Sequence, residues 1–360
     1  MTTPEPVSPA TGAGGIPSPQ RILGVDILRA LAMFMVVMLH VLFHGGVVDA
    51  VPKNSLRGML LWLFWAENYC AVDLFVLVSG WLLATKRFRP ARILALAIQV
   101  YFMSIAIRLV AGFVFHFPVR WNAFFSDYWF WNSYLVLVLF SPILNAGLQT
   151  LCARWKRKYI WSLLAVLTLL LTGLPVRGID NGYGPLWLSI PYLVGAAIRM
   201  TTTCDLSPRC KRLLPLMAVS LPVMGVAVRF LCWKLDIETP IFVHPYHYHS
   251  ALVLATGVCW LLFFTNLRIR SIPAVLRFAS ATSFGVYLIH DNPIVRETLI
   301  KDRFATLGNN PLPILLASLI LSAIGIYAVC MILDGIRLRL FAWLRVPERC
   351  QWVLDRFQAR

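Results

Sequence analysis

The side chains best suited to chemistry in this chain are ionisable groups set inside apolar runs. The first run reads Gly24-Val-Asp26-Ile-Leu-Arg29-Ala-Leu-Ala-Met-Phe-Met-Val-Val-Met-Leu-His40-Val-Leu-Phe-His44. A charge at membrane depth costs at least about 2.5 kcal/mol on insertion scales, so each such group must be paired, wetted or functional. At about 100° per residue, the path from Arg29 to His40 ends about 20° past three full turns, so both project from one helix face about 16 Å apart. Asp26 and His44 fall within about 60° of that line. One helix thus carries a polar stripe, with charge at one end and imidazoles at the other. Imidazole serves as a general base or nucleophile near neutral pH, and a guanidinium holds phosphate or carboxylate. The plainer account is a snorkelling Asp26–Arg29 pair with two histidines among headgroups, which gives no reason for four such groups to share a face.

Two further runs carry similar groups. Glu67-Asn-Tyr69-Cys-Ala-Val-Asp73-Leu-Phe-Val-Leu-Val-Ser79-Gly80-Trp81 sets a carboxylate, Asp73, where it could orient or charge-stabilise an imidazole such as His40. Ser79-Gly80 reads better as small residues allowing close helix contact than as a nucleophile. Ser283-Phe-Gly-Val-Tyr287-Leu-Ile-His290-Asp291-Asn-Pro293 brings a second imidazole and a second carboxylate. His244-Pro-Tyr-His247-Tyr-His249 is the densest histidine group, but no companion ligand set accompanies it, and a polar, aromatic, sugar-facing loop is the commoner meaning. The eight cysteines show no CxxC spacing, so neither a disulfide framework nor a zinc site is expected.

The elements that must position these residues follow from composition. Of 360 residues 59% are hydrophobic and 14% charged, against about a quarter charged in soluble domains. An all-α, polytopic transmembrane bundle of about ten spans is therefore expected, over 24–43, 68–84, 91–111, 128–148, 159–174, 185–200, 213–231, 249–266, 278–297 and 312–334. The run 56–84 is the least clear boundary, since it could hold a membrane helix preceded by an interfacial one. The net charge of +17 sorts by side. Arg21, the 86–92 and 154–158 groups, Arg199 to Arg212, Arg268 to Arg277 and the tail from Arg337 to Arg360 share one side. Lys53, Arg57, Arg120, Arg177, Lys234, Arg296, Lys301 and Arg303 take the other. The richer side is expected to be cytoplasmic, with both termini on it. That placement accounts for the charge through the lipid bilayer, and no nucleic-acid partner is expected. Residues 1–20 read as a disordered cytoplasmic tail rather than a signal peptide. Residues 341–360 read as a basic cytoplasmic tail able to lie on the membrane as an interfacial helix.

Three blocks, in order, resemble the bacterial membrane acyltransferases of acyltransferase family 3. They are Asp26-Ile-Leu-Arg29-Ala-Leu-Ala32 with the family's arginine, ten residues, histidine spacing met by Arg29 and His40; Val72-Asp73-Leu-Phe through Ser79-Gly80; and Ser283-Phe-Gly through His290. Gly184-Pro-Leu-Trp187 fits as well. Ile27 departs from the small residue common there, and no hydrolase-like domain is expected after the last helix. The resemblance implies a transmembrane acyltransferase domain over 21–340, in a multi-pass protein of the bacterial cytoplasmic membrane. It would move an acyl group, expected to be acetyl, from cytoplasmic acyl-CoA to a hydroxyl of an extracytoplasmic glycan or lipid-linked saccharide. In that reading His40, Asp73 and His290 are catalytic, and Arg29 with Asp26 holds the acyl-CoA donor. His44, Glu67, Tyr69, Trp187 and Tyr287 bind substrate, and no metal takes part. Intramembrane Asp, Arg and His also serve a proton-coupled secondary transporter of a small molecule or glycan precursor, which is the alternative.

Overall fold

The computed structural model describes residues 22–52, 55–117, 127–174, 179–201 and 206–358. The expected tail 1–20, and Arg21, Lys53, Arg120, Arg177 and Arg360 of the charge pattern, lie outside the described residues. Among the described residues the chain is all-helical, without a strand. In order come α1 (Leu23–Leu42), α2 (Val47–Ala50), α3 (Leu56–Asn68), α4 (Ala71–Leu83), α5 (Pro90–Phe113), α6 (Trp129–Arg154) and α7 (Arg157–Gly173). There follow α8 (Pro185–Thr201), α9 (Pro208–Lys234), α10 (Ala251–Thr265), α11 (Ala274–His290), α12 (Pro293–Val295), α13 (Leu312–Trp343) and α14 (Val346–Gln358).

Each expected span contains a helix. Six helical segments, Leu23–Leu42, Leu56–Leu83, Pro90–Phe113, Trp129–Arg154, Pro208–Lys234 and Leu312–Trp343, are long and apolar enough to cross a membrane by length and composition. α7, α8, α10 and α11 are shorter, at 17, 17, 15 and 17 residues.

The helix with the polar stripe is the central one. Of its apolar window 72% is buried inside the protein, against 22% for α6 and α9, because α1 packs on α3, α4, α10, α11 and α13. Peripheral helices instead turn leucines, valines and phenylalanines outward, as a lipid solvent allows. α4 and α8 approach closest at small residues. A Cβ at Gly80 would collide with the backbone carbonyl of Tyr192, and one at Gly195 with that of Leu77. Ser79, beside Gly80, bonds Phe75 O at 2.9 Å and Tyr134 Oη at 3.0 Å, as a packing residue does.

Two breaks set helix ends, and the second corrects an expected span. The run 56–84 is two 13-residue helices, α3 and α4, interrupted at Tyr69-Cys70. The expected span 278–297 ends at His290. Proline disfavours the α region for the residue before it, and Asn292, before Pro293, is extended at φ −56° and ψ 130°. Asn292 Oδ1 then accepts from Ile294 N at 3.0 Å and starts the next turn. At the C-terminal end, residues 346–358 form α14, which lies against α5 and α13.

Candidate active site

The break after His290 gathers the chemistry. His40 and His44 stand one turn apart near the end of α1, with ring centroids 5.0 Å apart. The His290 ring, from the last residue of α11, lies 4.9 Å from that of His40. Asp291, the first residue past α11, sets Oδ1 3.7 Å from His40 Nδ1, and Arg296 Nη1 holds the same oxygen at 3.0 Å. His40 is 17% exposed and Asp291 3%. Neighbouring polar contacts fix this corner. Tyr128 donates its hydroxyl to Leu288 O at 2.7 Å and accepts from Asn292 Nδ2 at 2.9 Å. Beside it, Arg108, a cation inside α5, is paired with Asp127 at 2.8 Å.

Proton positions follow from these contacts. His290 Nδ1 lies 2.6 Å from Val286 O, and a carbonyl only accepts, so Nδ1 carries the hydrogen and Nε2 the lone pair. His40 Nδ1 is buried, turned toward Asp291 and without a hydrogen bond, which leaves Nε2 as the nitrogen open to the cavity. Closing the 3.7 Å gap to a hydrogen bond takes a shift of about 1 Å, within the slack of sites without substrate. A carboxylate on Nδ1 stabilises the imidazolium formed when Nε2 takes a proton. His44, beyond the end of α1, is held below the usual histidine pKa by burial first and then by the Arg296 guanidinium.

A cavity of about 370 Å³ contains this group. It follows α1 from His44 through His40 and Val36 to Met33, about 16 Å along the axis, and ends one turn short of Arg29. Aromatic faces form its walls: Trp65 from α3 and Tyr69 just past its end, Trp129 and Phe130 opening α6, Tyr183, Tyr248, and Phe284 and Tyr287 from α11. Tyr69 stacks on Tyr248 at 4.6 Å, joining α3 to the loop before α10.

At the other end of the stripe, Asp26 is buried and accepts from Ser280 Oγ at 3.2 Å, tying α1 to α11. Arg29 is half-buried and belongs to a basic group. Lys86 is held below the usual lysine pKa by burial and then by Arg92, Arg199 and Arg29, and Arg199 lies over the Trp81 ring at 4.4 Å.

Of the residues singled out from sequence, His40, His44, Tyr69 and Tyr287 line the cavity, and His290 touches His40. Asp73 and Trp187 do not line it. They bond each other instead, Trp187 Nε1 donating to Asp73 Oδ1 at 3.1 Å, and both are fully buried. Glu67 is half-buried on α3, outside the cavity lining. The carboxylate set against His40 is Asp291, which the sequence reading noted beside His290 but gave no role in the site. Arg296, Trp65, Tyr183 and Tyr248 were missed as well. The histidines of 244–249 sit apart from this cavity, and no group of three or more His, Cys, Asp or Glu among the described residues could hold a metal ion.

No curated protein and no solved structure matches the chain. A family model described as an acyltransferase domain, Acyl_transf_3, matches residues 22–332. That range takes in α1, with the stripe, and runs into α13, so all three sequence blocks and every residue around His40 fall within it. The chain belongs to acyltransferase family 3.

Proposed function

We propose that this protein is a ten-span O-acyltransferase of the bacterial cytoplasmic membrane. It moves an acetyl group from cytoplasmic acetyl-CoA to a hydroxyl of an extracytoplasmic glycan, free or lipid-linked. The observation that carries this reading is the cavity along α1, which has an imidazole–carboxylate pair at one end and approaches a basic group at the other. Arg29, with Lys86, Arg92 and Arg199 near it, is suited to the phosphates of CoA through charge-assisted hydrogen bonds. Asp26 supports Arg29 from the same helix. The extended pantetheine arm would follow α1 toward His40, where the aromatic walls, with Tyr69, Tyr287 and His44, face the acceptor sugar.

In the transfer, His40 Nε2 takes the proton from an acceptor hydroxyl as the oxygen attacks the thioester carbonyl. The carbon–sulfur bond breaks, CoA leaves as its thiol with the proton returned from His40, and the acceptor keeps the ester. Asp291 balances the transient imidazolium, and Arg296 keeps that carboxylate in place. His290, with its Nε2 lone pair buried, contributes polarity behind His40.

The test compares ester-linked acetyl on surface glycans from cells lacking the chain and from the same cells complemented with it. Acetyl is expected to be lost and then restored. Equal contents in the two would remove acetylation of surface glycans as the activity.

A further inference from the structure

A second and larger cavity, of about 820 Å³, opens between α3, α9 and the loop before α10. An aromatic partition separates it from the first. Trp65 faces the His40 cavity and stacks on Tyr246 at 4.7 Å, while Tyr246 and Trp62, 4.9 Å apart, line the second. Nothing in the transfer reaction uses it.

Its cation is Arg229, near the end of α9, a helix that otherwise turns mostly apolar side chains outward. The guanidinium lies over Trp62 at 5.7 Å and over Tyr246 at 5.5 Å. Among the described residues no carboxylate comes within ion-pair distance of it, although Glu238 lines the same cavity. Its close polar contact is His244, whose Nε2 is 2.7 Å from Nη1. The other nitrogen of that ring, Nδ1, faces the Tyr246 backbone N–H at 3.2 Å. His244 is neutral at ordinary pH, because burial, His247 and Arg229 push its pKa down to about 3. A neutral imidazole has one lone pair. Two N–H donors therefore aim at one acceptor, and whichever is not accepted meets a ring N–H. The corner has too many donors and lacks an acceptor.

An anionic oxygen supplies what is missing, accepting from Arg229 and leaving the ring one donor to satisfy. The mouth shows what carries that anion. Phe230 and Trp233, on the outward side of α9, and Ile237, just past its end, line the cavity and are also exposed, so an acyl chain can leave the pocket along them. We infer that this cavity binds the phosphate headgroup of a lipid in the leaflet at the His40 end of α1. Arg229 and the His244 corner take the phosphate, and Trp233 and Phe230 pack on the first carbons of the tail. This binding does not depend on the transfer reaction.

Native mass spectrometry of the purified full chain tests it, with phosphatidic acid, diacylglycerol of the same chains and inorganic phosphate as probes. The wild-type protein is expected to retain one phosphatidic acid at concentrations where diacylglycerol is not retained and millimolar phosphate does not displace it. Arg229→Gln should weaken retention about tenfold or more, the loss of a charged hydrogen-bonded contact, and Arg229→Lys should keep part of it. His244→Phe, which preserves ring volume, should weaken it several-fold and serves if Arg229→Gln fails to fold. Equal retention of diacylglycerol, displacement by inorganic phosphate, or unchanged retention in Arg229→Gln or His244→Phe would overturn the proposal.

Discussion

Two carboxylates compete for one role at the level of single residues. Asp73 belongs to a family block, yet it spends one oxygen on the Trp187 indole, while Asp291 faces His40 and is itself held by Arg296. Asp291→Asn should therefore lower kcat by up to about 10⁴-fold, the scale for removing the carboxylate behind a catalytic imidazole, with little change in KM. Asp73→Asn should cost kcat less and thermal stability more, because it disturbs a fully buried pair. Steady-state kinetics and a melting curve on both variants decide, and the reverse ranking would return the role to Asp73. Arg29 acts at the opposite end. Arg29→Ala should weaken acyl-CoA binding by about 1.5–3 kcal/mol, the value of one charged hydrogen-bonded contact. Titration calorimetry reads it, and unchanged affinity would remove Arg29 from the donor site.

At the scale of elements, the site depends on helices that come very close and on one that stops early. Gly80 and Gly195 let α4 and α8 touch backbone to backbone, so Gly80→Ala should lower stability by about 1–3 kcal/mol through overpacking. Gly147→Ala, at a helical glycine with open space around it, should be neutral or stabilising; equal melting shifts in the two would contradict the packing account. The stripe on α1 was legible in the sequence because helical spacing alone aligns Arg29, His40 and His44, and the block ending in His290 was legible from its residue order. Asp291 was not. A span continued to 297 would point it about 100° away from His290, and only the stop imposed by Pro293 sets it beside His40. Tyr183 and Tyr248 lie outside the helices, where no period predicts side-chain direction. Trp187 is expected from the resemblance to bind substrate, but its indole N–H satisfies Asp73, and that pairing is invisible to spacing across more than a hundred residues.

For the whole molecule, the account is of one central helix reaching from a basic end to an imidazole end, wrapped by helices that face lipid. Such an arrangement serves transfer across the bilayer if the donor enters at Arg29 and the acceptor at His40, the orientation that the positive-inside pattern implies. It also explains why an ionisable stripe persists in a membrane protein, since each polar group is either paired or opens on a cavity. The central claim is that His40 performs the transfer without being needed to hold the donor. Purified protein in proteoliposomes, given acetyl-CoA labelled in the acetyl group and a glycan acceptor, tests it most directly when wild type and His40→Ala are compared for both donor binding and label transfer. The account predicts equal acetyl-CoA affinity, label in the acceptor with wild type, and none above background with His40→Ala; transfer at the parent rate by His40→Ala would contradict it.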